Sequence, residues 1–447
     1  MQHRSDELRA PPSSLLIGHV GSFSRDPLGF LTSAAKDYGD IVRLRFGGRI
    51  TWFISDPALI QQILVHDWRS FEKGTGLKRS KPLFGNGLLT SEGDTWRRQH
   101  NLIMPIFHRE RVESYGAMMV SETESYTEPW RAGVTIDMLE ATTSLTLRVV
   151  MRTLFNAAVD DSGAISEAVE CAQAEFARSI PYIIMLPSWV PTPVTPRLRR
   201  AITRLDVSIQ RLIESRRAEG RDHGDLLSLL LAAHDDDNQQ GMNNKQLRDE
   251  LLTLFLAGHE TTALTLAWAL MLVSQNPEVE ARLVDEAKRV YGERLPQPAD
   301  RAALVYTAAV VQEALRLYPP AWSVGREAIE DCELGDITVK RGNVAFFSQW
   351  VVHRDPRWYS DADKFIPDRW LDGSIAGNPR FAYFPFGGGP RVCMGSQFAL
   401  MEAVLILSFM LARFRFELAS DFVPALYPAI TLRPLHPMRM TITARNK

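Results

Sequence analysis

A single cysteine stands in the glycine-rich stretch FGGGPRVCMG, residues 386–395, directly before a long apolar segment. If a helix begins there, its unpaired N–H groups and positive dipole end favour the thiolate form of Cys393, which is the form that binds metals. Gly387, Gly389 and Gly395 lack the Cβ atoms that would hold the backbone away from a flat macrocycle. The pattern predicts that Cys393 is the axial ligand of a heme iron.

Two further residues of this stretch suit the same chemistry. Phe386 would shield the sulfur from water, and Arg391 lies within reach of a heme propionate. The alternative is a buried free cysteine in a turn, which behaves as a small hydrophobic residue. Because these residue types at these offsets arise by chance in roughly one chain of this length in ten thousand, we favour the iron ligand.

A polar patch, AGHETT at residues 257–262, interrupts an apolar helical segment that runs to Val273. Glycine costs about 1 kcal/mol relative to alanine inside a helix and adjacent threonines add strain, and such local violations tend to mark function. If this helix crosses the heme face opposite the cysteine, Gly258 leaves room for a diatomic ligand. Thr261 would then hydrogen-bond bound dioxygen, and Glu260 would relay protons. The alternative is a helix kinked by a threonine that bonds its own backbone carbonyl, beside a solvated glutamate.

A charged motif precedes the cysteine stretch by about 75 residues. Glu313 and Arg316 are three positions apart and therefore share one face of a helix. Arg369 adds a second arginine in a proline-containing segment. A glutamate held by both arginines would form a buried network that fixes the loop carrying Cys393. The alternative is a surface ion pair worth a few tenths of a kcal/mol, roughly.

Trp96 and His100 lie one helical turn apart, so both side chains would be able to donate to a propionate. Arg97 and Arg98 face elsewhere on the same helix, and a solvated basic surface accounts for them equally well.

The composition is that of a soluble enzyme. The chain has 447 residues, of which 45% are hydrophobic and 23% charged, which is ample for a core that encloses a cofactor. Its net charge of −2 gives no overall attraction to nucleic acid. Because composition does not shift along the chain and no linker divides it, we expect one domain spanning residues 1–447.

The three cysteines, at positions 171, 332 and 393, are too few and too scattered for a disulfide framework or a zinc cluster. This favours a reducing, cytoplasmic location. The N-terminus offers no apolar stretch long enough for a signal peptide or a membrane span. The apolar segments 251–273 and 404–412 are interpreted as buried core helices.

Alternating apolar and basic residues around a Gly47-Gly48 pair predict a β-hairpin over residues 41–54. Prolines forbid a continuous helix around Trp189. The other expected elements are a helix from Asp56-Pro57, a long loop over 73–93, a helix near Trp96, helical structure over 118–176, a basic helix over 197–217, a solvated acidic loop over 235–241 and a long helix capped by Asn243 or Asn244.

Taken together, these residues resemble the cytochrome P450 superfamily, and the resemblance runs from the early hairpin to the C-terminal strands. It implies a mainly α fold with small β-sheets, in which heme b (iron protoporphyrin IX) lies between the long oxygen-binding helix and the helix after the cysteine loop. The residues on which the family motifs fall are Trp96 and His100, Ala257, Gly258, Glu260 and Thr261, Glu313, Arg316 and Arg369, and Phe386, Gly389, Arg391, Cys393 and Gly395. The resemblance adds Arg326 as a propionate contact.

The resemblance also implies an activity. One oxygen atom from O2 enters a lipophilic small molecule of the fatty-acid, terpenoid, steroid or polyketide class, and the other is reduced to water by two electrons from NAD(P)H. Cys393 would supply electron density that favours O–O cleavage. Because the residues contain no flavin or iron–sulfur motif, a ferredoxin or flavodoxin with its reductase would deliver the electrons, steered by Arg97, Arg98 and Arg391.

Alternatives stay open at this point. Heme-thiolate proteins also act as peroxygenases, isomerases or dehydratases, although the Glu260-Thr261 pair argues against peroxide use. A heme-thiolate sensor or carrier without turnover is a non-enzymatic alternative. Separately, the apolar segment around Trp189 would suit weak peripheral contact with an anionic membrane.

Overall fold

The computed structural model describes residues 10–156, 171, 175, 195–232 and 242–445. Helices form most of this structure and small sheets flank them, which confirms the predicted fold class. The α-helices are Val20–Arg25, Pro27–Tyr38, Pro57–Gln61, Thr75–Arg79, Lys81–Phe84, Gly93–Ile103, Arg109–Thr127, Met138–Phe155, Pro196–Glu219, Leu226–Ala232, Asn244–Ser274, Pro277–Val290, Val305–Leu317, Gln349–Val352 and Ser396–Arg413.

Strands pair in four groups within the described residues. The largest sheet has the order Ile41–Phe46, Arg49–Ile54, Val344–Phe347, Val324–Ala328 and Phe71–Lys73. A three-stranded sheet has the order Thr135–Asp137, Arg439–Ala444 and Phe414–Leu418. Two small hairpins pair Cys332–Leu334 with Ile337–Val339, and Leu426–Pro428 with Leu432–Pro434. We call the second of these the C-terminal hairpin.

The predicted hairpin over 41–54 is confirmed. Its strands pair antiparallel with Phe46 opposite Arg49, and Gly47 adopts the positive φ of 59° that the tight turn requires. The helix at Pro57 is also present, with the Asp56 side chain accepting the Leu59 N–H.

Two sequence expectations need correction. The stretch 73–93 is not one loop, because it contains the short helices Thr75–Arg79 and Lys81–Phe84. Helical structure is not continuous after residue 118, since one helix ends at Thr127 and the next begins at Met138. Pro129 lacks the N–H that would continue the helix, and Gly133 turns the chain with a φ of 84°.

The 31-residue helix Asn244–Ser274, which we call the long helix, forms the centre of the main hydrophobic core. Of the two predicted caps the structure selects Asn243, which accepts the Gln246 N–H while the Gln246 side chain accepts the Asn243 N–H. The long helix contacts the helices Met138–Phe155, Val305–Leu317 and Ser396–Arg413. We call the last of these the cysteine helix.

The long helix and the cysteine helix are both apolar and long enough to cross a bilayer by composition. In the protein, however, 83% and 67% of their most apolar windows are buried. Both are therefore core helices, as the sequence predicts. The predicted basic helix is confirmed as Pro196–Glu219. The proline-rich segment around Trp189 and the acidic loop over 235–241 lie outside the described residues.

Candidate active site

The cysteine loop, residues 386–395, folds back on itself directly before the cysteine helix. The Cys393 N–H donates to the Phe386 carbonyl at 3.0 Å. Gly387 and Gly389 have φ values of 72° and 66°, which most other residues avoid. A Cβ at Gly389 would lie 1.8 Å from the Leu64 carbonyl oxygen. The glycine at 389 therefore gives room to the protein's own backbone rather than to a macrocycle.

Cys393 itself lies in a recess. The residue is exposed to solvent, yet the protein surrounds its sulfur closely enough that burial raises the pKa of the thiol above its usual range. A hydrogen bond from the Gly395 N–H opposes this rise. The Gly395 N–H, at the N-cap of the cysteine helix, thus acts in the direction that the sequence predicts, but burial outweighs it. Coordination to a cation is what keeps such a sulfur deprotonated.

The predicted propionate residues meet at one edge of the site. The Arg391 guanidinium stacks over the Trp96 ring at 3.7 Å and pairs with Glu92. The Trp96 and His100 rings lie 5.0 Å apart, on the helix Gly93–Ile103. Three of the sequence-predicted residues, from two distant parts of the chain, are thus brought together.

More positive charge lies at this edge than the sequence indicates. Burial, with the Arg391 charge as the next cause, lowers the pKa of Lys73 to about 7 and that of Arg326 to about 10. Burial also lowers the pKa of Arg391, although Glu92 opposes it. Desolvation is the main cause of both shifts, and the repulsion from Arg391 indicates that these cations lie close together. The edge is therefore suited to an anionic group.

The polar patch of the long helix turns one small surface toward solvent. Ala257 is exposed although Leu256 and His259 beside it are buried, and Thr261 is half-exposed one turn later. The Thr261 hydroxyl donates to the Ala257 carbonyl at 2.7 Å. The threonine thus bonds its own backbone, as the alternative interpretation expects, and also lies on the open face.

Gly258 has a different neighbour from the one expected. A Cβ there would lie 3.2 Å from Val150 Cγ2 on the helix Met138–Phe155. Close packing of two helices is therefore a structural reason for a glycine at position 258. Ala257, one turn before Thr261 and part of the same motif, presents the small side chain on the open face.

Glu260 points away from this open face. Its Oε1 atom accepts hydrogen bonds from the Thr431 hydroxyl and from Arg433 Nε, each at 2.6 Å, and Glu260 forms an ion pair with Arg433. The residue is only 4% exposed, so the expected alternative of a solvated glutamate is wrong. Nothing local in the sequence indicates these partners, which lie more than 170 positions away.

The predicted glutamate–arginine network is confirmed. Glu313 accepts two hydrogen bonds from Arg316, at 2.8 and 2.9 Å, and one from Arg369 Nε at 3.0 Å. Arg316 also donates to the His353 carbonyl, and the His353 ring accepts the Phe384 N–H at 2.9 Å. The network therefore reaches the chain just before the cysteine loop.

These features fit a heme bound through cysteine. The recessed sulfur of Cys393 would be able to bind an iron, and Arg391, Arg326, Trp96 and His100 would form a cation-rich edge suited to two propionates. The small open surface at Ala257 and Thr261 belongs to a core helix that contacts the cysteine helix. The fold and the site thus define a heme-thiolate protein.

Comparison with known proteins agrees with this class. A sequence model of the family Cytochrome P450 matches residues 8–437. Cyclooctatin synthase of Streptomyces melanosporofaciens is 38% identical over 412 residues, covering 91% of this chain and 89% of that protein. Cyclooctat-9-en-7-ol 5-monooxygenase of the same species is 35% identical over 410 residues, covering 91% and 88%. Pentalenene oxygenase of Streptomyces avermitilis is 34% identical over 451 residues, covering 100% and 99%.

The chain belongs to the cytochrome P450 family. It is a heme-dependent monooxygenase that uses O2, acts on a lipophilic small molecule and receives electrons from separate redox partner proteins.

Proposed function

We propose that this cytochrome P450 oxygenates a terpenoid. The observation that carries the proposal is the similarity, over nine-tenths of the chain or more, to a cyclooctat-9-en-7-ol 5-monooxygenase and a pentalenene oxygenase. The names of both relatives describe oxygenation of terpenoids. Of the four substrate classes that the sequence leaves open, this is the one the relatives support.

The charges near the site support a substrate without a carboxylate. Lys73 donates to the carbonyls of Leu88 and Ser91 at 2.8 and 2.7 Å. Lys78 pairs with Glu72 at 2.8 Å and lies 3.5 Å from Glu327. Both lysines are therefore already bound within the protein rather than free to bind the carboxylate of a fatty acid, which favours an apolar skeleton over a charged chain.

We assign the site residues as follows. Cys393 binds the iron. Phe386, Gly387, Gly389 and Gly395 shape the loop that carries it. Gly258 allows the long helix to lie close to its neighbours beside the heme. Trp96, His100, Arg326 and Arg391 hold the propionates. When bound, the heme supplies activation of O2 and insertion of one of its atoms into a C–H bond. Thr261 donates its hydroxyl on the open face, and Glu260 resupplies the proton that Thr261 passes on.

We further propose a ferredoxin or flavodoxin as electron donor, a cytoplasmic location and a single domain spanning the chain. Arg97 supports an acidic partner because its side chain is 62% exposed. Arg391 does not belong to that surface, since it is half-buried and paired with Glu92. The family match over residues 8–437 supports a single domain. Membrane contact near Trp189 stays a prediction.

The test begins with optical titration of the ferric protein with polycyclic terpenes, alongside fatty acids of similar size. We expect terpenes to shift the iron spin state and fatty acids not to. Reduction under carbon monoxide should give the red-displaced Soret band of a thiolate-bound heme. Binding of fatty acids alone would contradict the substrate class.

Turnover then separates the remaining alternatives. With ¹⁸O2, NAD(P)H and a ferredoxin system, one labelled oxygen per product is expected. Label arriving only from peroxide would indicate a peroxygenase. Terpene binding without any product, whichever electron donor is offered, would indicate a carrier or sensor.

A further inference from the structure

The glycine segment, which we define as residues 85–88 (GNGL), lies directly on the long helix. A Cβ at Gly85 would lie 2.0 Å from Asp249 Oδ1, and a Cβ at Gly87 would lie 2.5 Å from the Asp249 carbonyl oxygen. The Asn86 N–H donates to Asp249 Oδ2 at 2.8 Å. Asp249 is only 3% exposed, so this contact leaves its carboxylate little access to water.

Arg248 supplies the charge that balances this carboxylate. Its Nη1 atom donates to Asp249 Oδ1 at 2.9 Å, so the two carboxylate oxygens of Asp249 have different partners. Among the residues that the structure describes, Arg248 is the cation paired with Asp249. A buried carboxylate that loses its counter-charge is strongly destabilising. Closure of the glycine segment over Asp249 therefore depends on where the Arg248 side chain lies.

The basic helix Pro196–Glu219 holds Arg248 through its other two nitrogens. Arg248 Nε donates to Asp206 Oδ1 at 2.6 Å, and Arg248 Nη2 lies 2.5 Å from the same oxygen. The planar guanidinium fork thus binds two carboxylates, from two helices, in a fixed geometry. The Asp206 side chain is 45% exposed and that of Arg248 only 15%. The bond to the basic helix is therefore the one that water reaches first.

We propose that Arg248 couples the position of the basic helix to closure of the glycine segment. While Asp206 holds Arg248, the arginine faces Asp249 and offsets the cost of covering that carboxylate. When the basic helix moves away, Arg248 is drawn toward water and the covered carboxylate loses its counter-charge. Opening of the glycine segment then rehydrates Asp249. The coupling is reciprocal, so closure of the segment favours docking of the helix by the same factor.

Hydrogen–deuterium exchange of the intact, heme-loaded protein tests the coupling without turnover. Asp206→Asn removes the carboxylate that holds Arg248. We expect the amides of residues 86–88 to exchange about two- to fivefold faster than in the wild type, which is the ratio expected for loss of a partly exposed ion pair. Arg248→Gln should speed exchange of the same amides about tenfold or more, because the buried Asp249 then has no paired cation.

A double variant tests whether the effect passes through Asp249. Asp249→Asn removes the charge that Arg248 offsets while keeping the size of the side chain. In that background, adding Asp206→Asn should leave exchange of residues 86–88 unchanged, because the effects of two coupled residues are not additive. If the full effect of Asp206→Asn persists in the Asp249→Asn protein, the inference is overturned.

Glu214→Gln is the matched control, because Glu214 lies on the same basic helix, is exposed and accepts a hydrogen bond from Gln210 rather than from Arg248. It should not change exchange of residues 86–88. The inference is wrong if Asp206→Asn has no effect on these amides, or if Glu214→Gln has an equal one. Equal acceleration in the hairpin over 41–54 would indicate a general loss of stability and would also contradict the coupling. The substrate class is tested separately, by terpene binding to the wild-type protein.

Discussion

Thr261 has two properties that bear on its role. Its hydroxyl already has a partner in the Ala257 carbonyl, yet it lies on the open face of a buried helix. A hydroxyl both donates and accepts, so Thr261 is able to exchange its backbone bond for a bond to a ligand. Its role depends on this exchange rather than on the strength of either bond.

We expect Thr261→Ala to keep its heme and its reduced carbon monoxide band but to lose coupling, with most reducing equivalents appearing as peroxide or water. The loss should be about tenfold or more, since a positioned proton donor contributes roughly that or more. Oxygen-electrode, peroxide and product assays measure it together. Thr265→Ala is the control, because Thr265 makes the same type of backbone bond, to the Thr261 carbonyl at 2.8 Å. A fully coupled Thr261→Ala would contradict the assigned role.

Glu250 is a second informative side chain on the long helix. It is fully buried and accepts the Leu88 N–H at 2.9 Å. Burial raises the pKa of Glu250 to about 8, with the Leu88 N–H opposing the rise. The residue therefore binds a proton in the folded protein at pH values where the unfolded chain has lost it.

Because the folded-state pKa is the higher one, the contribution of Glu250 to stability is present at acidic pH and is lost as pH rises toward 8. Between pH 5 and 7, the free energy of unfolding of the wild type should fall relative to that of Glu250→Gln by at most about 1.4 kcal/mol per pH unit. The comparison stops at pH 7 because Lys73, whose pKa is lowered to about 7, loses its proton as the pH rises further. Urea unfolding at both pH values measures the difference. Exposed Glu110→Gln should follow the wild type, and a pH-independent difference for Glu250→Gln would contradict the argument.

At the scale of elements, the Glu313 network joins one helix to the chain before the cysteine loop. Glu313 and Arg316 are fully buried, and Ile366 N–H and Trp370 Nε1 also donate to the Glu313 carboxylate, at 3.0 and 2.9 Å. Removing one charge from such a cluster leaves a buried arginine without compensation. The cluster thus connects packing in the core to the position of Cys393.

We expect Glu313→Gln to lose about 3–5 kcal/mol of stability and to retain heme poorly, because a buried charge is left unpaired. Thermal unfolding and the heme content of the purified protein measure this. Asp368→Asn is the control, since the Arg282–Asp368 pair is about half-exposed on both sides and its loss should cost less than about 1 kcal/mol. Equal effects of the two variants would contradict a special role for the network.

The sequence predicts well those helices and strands that are specified by residues within the element itself. The hairpin over 41–54 is specified by alternation and a Gly-Gly turn, and the long helix by its apolar length and the Asn243 cap. The short helices inside 73–93 are missed because helices of four or five residues depend on tertiary packing rather than on propensity. The break at Pro129 is a local signal that an average over a long window conceals.

At the scale of the molecule, the site is assembled from motifs and from contacts between distant segments. The motifs predict Cys393 and the Glu313 network because those residues are specified at fixed spacing. They do not reveal that Arg433 pairs with Glu260 or that Lys73 joins the cations near Arg391, since only the tertiary fold brings these residues together. Residues that contact each other only in the folded protein leave no pattern in any short stretch of the sequence.

Electron transfer belongs to the same scale, because it depends on the charge of a whole surface. The Arg97 side chain is exposed, although Asp94 lies 3.0 Å from it. Charge reversal of Arg97 and Arg98 should slow the first electron transfer from an acidic ferredoxin about tenfold at low salt, with the difference shrinking as salt screens the surface. Stopped-flow reduction under carbon monoxide measures the rate. Arg131→Glu, which reverses an exposed arginine of another segment, is the control and should have little effect. An unchanged, salt-independent rate in the Arg97/Arg98 variant would show that the partner does not dock on this surface.

The long helix is bonded to two separate segments of the chain at two points along its axis. Asp249 and Glu250 accept the N–H groups of Asn86 and Leu88, and Glu260 accepts from the C-terminal hairpin. These attachment points are about 15 Å apart along the axis, at 1.5 Å per residue. Local opening of the helix would release both segments at once. The amides of Asn86 and Leu88, which donate to carboxylates of the helix, should therefore exchange with deuterium at one common, slow rate as a single cooperative unit.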